Sequence, residues 1–206
     1  MPKPPRSVSP NTLVRGVGDV RIIGGSLKRS KLPVLQAPGL RPTPDRVRET
    51  LFNWLGQDLS GLQCVDAFAG SGALSVEAAS RGAARVVSIE RDAALAQHLS
   101  AQLQRLQVTQ VTVVKGDALQ IMAGLPSRAW GGVFLDPPFL LGQNQSLVHS
   151  ALQAAARLLK PNGWVYLEAP QVWTDEALAP LGWRVHRHGK AGQVHYHVLT
   201  LLSPME

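Results

Sequence analysis

The chain has 206 residues, 45% of them apolar and 17% charged, a composition that predicts one globular domain with an appendage. The single cysteine, Cys64, cannot form an internal disulfide, and no apolar run approaches the roughly 18 residues of a membrane-spanning helix. Disulfide-stapled and membrane-spanning classes are therefore excluded, and Cys64 is expected to be a buried small side chain in a reducing, cytoplasmic setting.

The net charge of +7 is concentrated at one end of the chain. Residues 1–50 hold ten lysines and arginines against three acids, whereas the remainder holds eleven of each. Such an excess favours an arm that binds a polyanion, because each neutralised phosphate releases counterions. The alternative is a solvated face that only improves solubility.

The first 58 residues are predicted to form a tail and an extension. Residues 1–18 are basic and proline-rich, which is typical of a disordered tail. Residues 19–58 form the extension, in which "DVRIIGG" and "KLPVL" predict a short β-hairpin with Lys28 and Arg29 near its turn. A helix follows a loop, with Thr43 as its N-cap and Pro44 in its first position.

This helix has one apolar face. The face recurs at helical spacing and comprises Val47, Leu51, Trp54 and Leu55. Arg46 and Arg48 fall away from it and are expected to be exposed. The helix is therefore predicted to dock by its back and to present positive charge.

From residue 59 onward, strands and helices alternate. The segments "QCVDAF", "RVVSIE", "VTVVK", "GGVFLD" and "GWVYLEA" are predicted strands separated by helical stretches. This order predicts an α/β fold of parallel strands with right-handed crossovers. "WRVHRH" and "VHYHVLTLL" then predict an antiparallel hairpin that finishes the sheet.

The first of these strands ends in a glycine-rich loop, "DAFAGSGA" (Asp66–Ala73). Gly70 and Gly72 let backbone come close to a ligand and turn the chain sharply into a helix. The spacing differs from G-x-G-x-x-G and the loop has no lysine, which argues against a dinucleotide or a triphosphate. The pattern favours a nucleoside whose charged tail is not a phosphate.

Two further acids end the next two strands. Glu90 lies 18 residues beyond Gly72, close to the spacing at which an acid binds ribose hydroxyls. Asp117 follows the third strand, where it could accept from an adenine amino group. Singly, each acid could be a loop or cap residue. Together they lie at successive strand ends, on the side where such sheets bind ligands, and predict a nucleoside site.

The fourth strand ends in "DPPF", Asp136–Phe139. Proline fixes φ and has no N–H, so this exit is stiff and presents acceptors, chiefly the Asp136 carboxylate and nearby carbonyls. Acceptors suit a group that only donates, such as an exocyclic NH2, and Phe139 offers a face on which a planar base could stack. A proline-rich turn after a buried strand is the alternative.

"DAFAGSG", Glu90, "GDA" and "DPPF" occur in an order and spacing that resemble Rossmann-like methyltransferases that use S-adenosylmethionine and modify exocyclic amines. From about Val20 onward, "RIIGG", "GLRPTPDRVRETLFNWL" and "AFAGSGALSVEAASRGA" resemble the RsmD-type bacterial ribosomal RNA guanine-N2 methyltransferases. The resemblance implies a class I methyltransferase domain over residues 59–206. Its sheet would be mostly parallel and seven-stranded, with a C-terminal antiparallel hairpin.

The resemblance also assigns site residues. Cofactor contacts to S-adenosylmethionine would be made by Asp66, Phe68, Gly70, Ser71, Gly72, Glu90, Asp117 and Ala118. The catalytic amine site would comprise Asp136, Pro137, Pro138 and Phe139. RNA would meet the extension at Arg21, Lys28, Arg29, Lys31, Arg41, Thr43, Arg46 and Arg48. No residue is assigned to a metal.

The implied reaction is methylation of a guanine N2, at guanine 966 in the usual 16S rRNA numbering. Hydrogen bonds from N2 to Asp136 and to the Pro137 carbonyl would pyramidalise the amine and align it for attack on the sulfonium methyl. The base would be flipped out or lie in a loop. The expected partner is 16S rRNA within the small ribosomal subunit or an assembly intermediate, bound by a cytoplasmic monomer.

Alternatives remain open at this point. "DPPF" specifies an amine rather than its owner, so adenine N6, cytosine N4 or a protein glutamine amide are rival acceptors, although the "GLRPTPDRVRETLFNWL" match favours guanine. A non-catalytic RNA-binding assembly factor that retains a nucleoside pocket is a rival from another class. A metal cluster on the last hairpin is geometrically conceivable, although methyl transfer from a sulfonium needs no metal. Its ligands would be His186, His188, His195 and His197.

Overall fold

A computed structural model of the protein describes residues 15–35, 42–138 and 144–202. A two-stranded sheet is followed by a seven-stranded sheet with helices on both faces. The strands are β1 (Arg15–Arg21), β2 (Lys31–Leu35), β3 (Gln63–Asp66), β4 (Arg85–Glu90), β5 (Val111–Lys115), β6 (Trp130–Leu135), β7 (Leu159–Ala169), β8 (Trp183–Ala191) and β9 (Val194–Leu201). The helices are α1 (Asp45–Trp54), α2 (Ala73–Ser80), α3 (Ala93–Arg105), α4 (Ala118–Gly124), α5 (Asn144–Leu158) and α6 (Asp175–Leu178), with a 3₁₀ turn at Ala179–Leu181. Among the described residues, every helix is too short or too polar to cross a membrane.

The large sheet has the strand order β5-β4-β3-β6-β7-β9-β8. The strands from β3 to β7 are parallel, and β9 pairs antiparallel with both β7 and β8. The predicted class of fold, a mostly parallel sheet with a C-terminal antiparallel hairpin, is confirmed. The chain runs outward from β3 to β5 and then crosses back to β6, so the strand order reverses between β3 and β6. In open α/β sheets, ligands bind in the crevice at such a reversal, beyond the carboxyl ends of the strands.

Alternate residues of the strands build two separate cores. Cys64 and Phe134 pack on the side of α1, α2 and α3, whereas their neighbours Val65 and Val133 pack on the side of α4 and α5. Strands buried on both faces are apolar throughout, as parallel strands between two helical layers require. Burial raises the pKa of the Cys64 thiol to about 12, so this residue is the buried small side chain that the sequence predicted.

The N-terminal extension packs against the first of these cores. Ile22 and Leu32 are fully buried in it. Helix α3 also holds strand β2, because Arg105 Nη2 donates to Lys31 O at 2.6 Å and His98 Nε2 lies 2.7 Å from Pro33 O. The hairpin is therefore fixed to the methyltransferase-like domain rather than attached by a linker.

A buried ion cluster fastens the extension to α2. Glu77 accepts hydrogen bonds from the backbone N–H groups of Ile23 and Gly24 at 3.0 and 2.8 Å. Two guanidinium groups also bind its carboxylate, that of Arg48 at 3.2 Å and that of Arg81 at 2.9 Å. A buried charge is tolerated when it is both paired and hydrogen-bonded, and Glu77 meets this condition.

The prediction that Arg48 is an exposed RNA contact is wrong. Its side chain is fully buried, and besides binding Glu77 it donates to Arg21 O at 2.8 Å and to Thr43 O at 3.2 Å. One guanidinium thus joins the hairpin, the loop before α1 and helix α2. The fork of five N–H donors makes arginine suited to such a junction.

Two boundaries of the extension also differ from the prediction. Strand β1 begins at Arg15, so residues 15–18, which were predicted to belong to the tail, lie in a strand. The following residues, 22–30, form the connection between β1 and β2 rather than strand. The N-cap position of α1 is Pro44 and not Thr43, whose hydroxyl group binds Asp136 instead.

The buried face of α1 is shifted around the helix. Val47 and Leu51 are buried as predicted, but Trp54 and Leu55 are half-buried, and Phe52 is fully buried. Phe52 joins Arg48 on the side of the helix that faces α2 and the sheet. The apolar pattern therefore located the helix correctly. Its buried face differs from the predicted one because it includes Arg48 of the ion cluster.

Candidate active site

A cavity of about 670 Å³ opens at the carboxyl ends of the parallel strands, where the strand order reverses. Predicted cofactor and amine residues meet around it. Those that line it are Asp66, Phe68, Gly70, Ser71, Glu90, Asp117, Ala118, Asp136, Pro137 and Pro138. Residues separated by up to 72 positions in the chain are therefore gathered at one site.

Asp66 is the most deeply buried acid of the cavity, with 1% of its surface exposed. Its Oδ2 accepts from Ser75 Oγ at 2.6 Å, whereas its Oδ1 has no hydrogen-bond partner among the described residues. Burial raises the pKa of its carboxyl group to about 6, and the negative charge of Glu90 adds to this. A donor or cation entering the cavity would stabilise this carboxylate.

Glu90 and Asp117 already have local partners. The Glu90 carboxylate accepts the N–H groups of Gly70 and Asp92, each at 2.8 Å, and so ties the glycine loop to the end of β4. Asp117 caps α4 by accepting from Gln120 N at 3.1 Å. A carboxylate has about four acceptor positions, so these contacts orient both groups without exhausting their capacity.

Gly72 lies between Ser71 and Ala73, which line the cavity, and its predicted contact with a cofactor stays a prediction. Its φ is 78°, and an added Cβ would lie 2.2 Å from Leu99 Cδ1. Glycine is required here because α2 must start close to α3. The residue therefore allows the sharp turn into α2 and its close packing on α3.

Asp136 lies half-buried at the cavity wall, directly after β6. Burial, together with the negative charges of Glu168 and Asp66, raises the pKa of its carboxyl group well above the usual value. Thr43 Oγ1 lies 3.5 Å from Asp136 Oδ2, and this long hydrogen bond favours the ionised form. The extension thus reaches the predicted catalytic acid.

The two prolines after Asp136 also line the cavity. Pro137 is buried and Pro138 exposed, and because proline has no N–H this stretch of wall offers acceptors but no backbone donors. Phe139 and Arg41 lie outside the described residues. Stacking by Phe139 and an RNA contact by Arg41 therefore stay predictions.

Glu168, at the carboxyl end of β7, is a site residue that was not predicted. It lines the cavity, is 4% exposed, and its Oε1 accepts from Tyr166 Oη at 2.8 Å. The signal was present in "GWVYLEA", because an acid at the end of a parallel strand was the pattern that singled out Glu90.

The extension forms one wall of the cavity. The lining residues that it contributes are Pro42, Thr43, Pro44 and Val47. Thr43 was predicted to contact RNA, but it is buried beside Asp136, so it could meet only a nucleotide that enters the cavity. The loop before α1 therefore joins the extension to the wall of the cavity.

The remaining predicted RNA contacts are exposed and lie outside the cavity wall. They are Arg21, Lys28, Arg29, Lys31 and Arg46. Lys31 Nζ lies 3.4 Å from Asp19 Oδ2 in an exposed ion pair, which is worth little in water. The basic surface of the hairpin and α1 therefore stays a candidate for binding phosphates.

The four histidines of the last hairpin differ in their surroundings, and His197 alone among them is fully buried. Within the described residues, no cluster of three or more histidine, cysteine or acidic side chains could hold a metal ion. His197 is buried and accepts the Trp173 N–H at 3.1 Å, and burial lowers the pKa of its imidazole to about 4. His188 Nε2 lies 3.0 Å from His195 Nδ1, and a bulge between positions 185 and 187 displaces His186 from the strand alternation.

The charges along the cavity suit S-adenosylmethionine, which carries a sulfonium and an ammonium group. Among the described lining residues, six are acids and one, Arg91, is a base. Asp66 Oδ1, which has no hydrogen-bond partner among the described residues, could accept from a donor of the cofactor. Glu90 and Asp117 lie at strand ends, where carboxylates can accept from the hydroxyl and amino groups of a nucleoside. Phe68 provides an apolar surface beside them. The residues present therefore fit this cofactor.

Known proteins match the chain over most of its length. The family described as conserved hypothetical protein 95 matches residues 20–200. Ribosomal RNA small subunit methyltransferase D of Escherichia coli strain K12 is 44% identical over 191 residues, which cover 89% of this chain and 90% of the relative. The Haemophilus influenzae protein of the same name is 38% identical over 184 residues, with 88% and 93% coverage. The solved structure of Escherichia coli yhhF is similar with a TM-score of 0.76 at 37% identity, covering 90% of this chain and 99% of that one.

Proposed function

The chain belongs to the conserved hypothetical protein 95 family, the RsmD-type methyltransferases, and on this premise we propose that it methylates the exocyclic N2 of a guanine in small-subunit ribosomal RNA. The methyl donor is S-adenosylmethionine. Relatives named ribosomal RNA small subunit methyltransferase D support the substrate class.

The observation that carries the amine assignment is the acceptor-only wall beside the cofactor residues. Asp136, Pro137 and Pro138 line the same cavity as Asp66 and Glu90. An NH2 group needs acceptors, and this wall presents a carboxylate and two residues without N–H. An amine held there would lie next to the cofactor.

S-adenosylmethionine, when bound, supplies a methyl group activated by a positively charged sulfur. Asp66, Glu90 and Asp117 would hold it through their carboxylates. The Asp136 carboxylate accepts an N–H of guanine N2 and so orients the nitrogen lone pair toward the cofactor side of the cavity. As positive charge develops on N2, the same carboxylate stabilises it. The raised pKa of Asp136 also suits it to hold the proton that N2 releases.

The exposed bases of the extension supply the electrostatic part of RNA binding in this proposal. Arg21, Lys28, Arg29, Lys31 and Arg46 lie on the hairpin and on α1, whose loop forms a wall of the cavity. Phosphate contacts at these positions would place a flipped or looped-out guanine at the mouth of the cavity. The protein would act as a cytoplasmic monomer on the small subunit or an assembly intermediate.

The test is incubation of the full chain with methyl-labelled S-adenosylmethionine and three substrates: small subunits lacking the modification, naked 16S rRNA, and DNA. The RNA or DNA is then digested to nucleosides, which are separated by chromatography and identified by mass spectrometry. The expected product is N2-methylguanosine at one position of the small-subunit RNA. Methyl groups on adenine N6 or cytosine N4 would contradict the proposal. Binding of small subunits without any transfer would instead favour a non-catalytic assembly factor.

A further inference from the structure

Two carboxylates stand side by side at the ends of β6 and β7. Phe134 pairs with Tyr166 and Leu135 with Leu167 in parallel register, so one step further along the strands brings Asp136 beside Glu168. Phe134 and Tyr166 lie in the same core, with ring centroids 6.4 Å apart, and the two acids continue their face of the sheet. Asp136 and Glu168 both line the cavity.

Glu168 is held in a fixed orientation. Its backbone lies in a strand paired on both sides, by β6 and β9, and its side chain is 4% exposed. Tyr166 Oη donates to Glu168 Oε1 at 2.8 Å. This hydrogen bond fixes the orientation of the carboxylate at the end of β7.

Placing two acids together in a buried position is costly. The negative charge of Glu168 contributes to the raised pKa of Asp136 and also to that of Tyr166. Replacing one acid by a neutral residue would remove this repulsion, so core packing gives no reason for the pair. A ligand with two adjacent donors would relieve it.

Guanine offers such a pair of donors. On its Watson–Crick edge the ring N1–H lies next to the N2 amino group, so two neighbouring N–H groups point the same way. Adenine and cytosine each place an acceptor nitrogen beside their amine. One acceptor in the protein can bind any of these amines, whereas two adjacent acceptors match guanine alone.

We propose that Glu168 accepts the N1–H of the target guanine while Asp136 accepts an N–H of its N2 amine, so that the pair selects guanine among exocyclic amines. The inference rests on the proposed function and names the residue that gives it base specificity. Against adenine or cytosine, the Glu168 carboxylate would face a ring-nitrogen lone pair, and two acceptors that face each other repel. Selection thus arises from repulsion as well as attraction.

The test uses small subunits reconstituted with rRNA that carries either guanine or 2-aminopurine at the target position. 2-Aminopurine keeps the N2 amine but has an acceptor at N1. The full-length wild-type protein should methylate guanine at least about 100-fold more efficiently, because a site built to accept a hydrogen bond rejects an analogue that lacks it. Comparable kcat/KM values for the two substrates would overturn the proposal, whatever any variant does.

Glu168→Gln should then change the preference. The Tyr166 hydroxyl should retain the glutamine carbonyl, which turns the amide NH2 toward the base and allows it to donate to N1 of 2-aminopurine. The ratio of kcat/KM for guanine over 2-aminopurine should fall at least about tenfold relative to wild type. A matched control is Glu176→Gln, an exposed acid of α6, which should leave the ratio unchanged.

A purely structural role would lower both rates together. An unchanged ratio in a Glu168→Gln protein that binds S-adenosylmethionine normally would therefore contradict the specificity role. Tyr166→Phe provides a second variant, because it releases Glu168 without removing it and should weaken discrimination by the wild-type carboxylate. Failure of the wild-type protein to methylate guanine at all would instead refute the proposed function, so the two ideas fail separately.

Discussion

Asp136 combines a strongly raised pKa with a hydrogen bond from Thr43, and the two effects act in opposite directions. Burial and the nearby acids favour the protonated carboxyl group, whereas the Thr43 hydroxyl favours the carboxylate that must accept the amine. In the proposed mechanism, the balance between these effects would set the pH range in which Asp136 accepts the amine.

Thr43→Val should shift this balance. The rate of methyl transfer should rise with pH as Asp136 ionises. Without the hydroxyl donor the pKa of Asp136 rises further, so the acidic limb of the pH–rate profile should shift to higher pH by about half a unit. At high pH the rate should approach that of wild type. Single-turnover rates across pH at saturating substrate would show this, with Thr50→Val, whose hydroxyl binds Arg46 O on the exposed side of α1, as the matched control. Superimposable profiles for Thr43→Val and wild type would contradict the assignment.

Asp66 offers a stability measurement at the same scale. Its folded-state pKa of about 6 exceeds the ordinary value of 3.8, so the folded state binds the proton more tightly than the unfolded chain. The resulting penalty is absent below about pH 3.8, grows as pH rises toward 6, and is complete above 6, where it amounts to about 3 kcal/mol.

Asp66→Asn should therefore stabilise the protein more at pH 8 than at pH 4, because the amide removes the buried charge and can still accept from Ser75 Oγ. Urea unfolding at the two pH values gives the comparison. If the difference in the free energy of unfolding between variant and wild type does not change with pH, the pKa of Asp66 is not raised in the folded protein.

Helix α1 depends on one buried arginine for its position. Arg48 binds Glu77 and donates to Arg21 O and Thr43 O. The hydroxyl group of the same Thr43 contacts Asp136. The ion cluster thus lies one residue away from the proposed amine site. A substitution in the ion cluster should therefore lower the stability of the protein and displace the loop before α1.

Arg48→Met should lower the free energy of unfolding by about 3 to 5 kcal/mol, because it removes a partner from a buried carboxylate. The matched control is Arg46→Met on the exposed side of the same helix, where the change should stay within about 0.5 kcal/mol. Adding Glu77→Gln to Arg48→Met should not restore the stability, because Arg81, which binds Glu77 at 2.9 Å, would then lose its ionic partner as well. Equal effects of the two arginine variants in urea unfolding would refute the structural role of Arg48.

Periodicity located α1 and the strands, because apolar spacing reports burial on a face. It could not identify Arg48 as buried, since an arginine off the apolar stripe is ordinarily solvated and its partner Glu77 lies 29 positions away on another helix. Gly72 was assigned to ligand approach, whereas its neighbour Leu99 explains the glycine by packing. Glu168 shows the same sequence signal as Glu90, an acid at the end of a predicted strand, and could have been predicted as a site residue.

At the scale of the whole molecule, the sheet brings the acids of five strand ends to one cavity, and the extension that forms one wall of this cavity carries exposed basic residues. The family and the fold class could be predicted because each motif follows a strand, and the carboxyl ends of parallel strands lie at one edge of the sheet. The pairing of the extension with α2 and α3 could not, because backbone and ion-pair contacts across the domain leave no periodic trace.

The basic surface should respond to charge removal in a position-dependent way. Replacing Lys28 and Arg46 with alanine should weaken binding to the small subunit and lower the salt slope by up to about 2, since each phosphate contact contributes roughly 0.7 to 0.9. The control removes the same charge from the opposite end of the sheet, at Arg128 and Lys160, which are exposed near the amino ends of β6 and β7. Equal changes in slope for both double variants would place the RNA elsewhere.

The most direct test of the proposed site is single-turnover methylation of unmodified small subunits by wild type and Asp136→Asn, with S-adenosylmethionine affinity measured by calorimetry on both proteins. The asparagine keeps the size of the side chain but removes the charge that accepts the amine. We expect wild type to yield N2-methylguanosine at one position and the variant to lose at least about 100-fold in rate, while its cofactor affinity changes little. Wild-type transfer rates by Asp136→Asn, or a methyl group on any atom other than guanine N2, would contradict it.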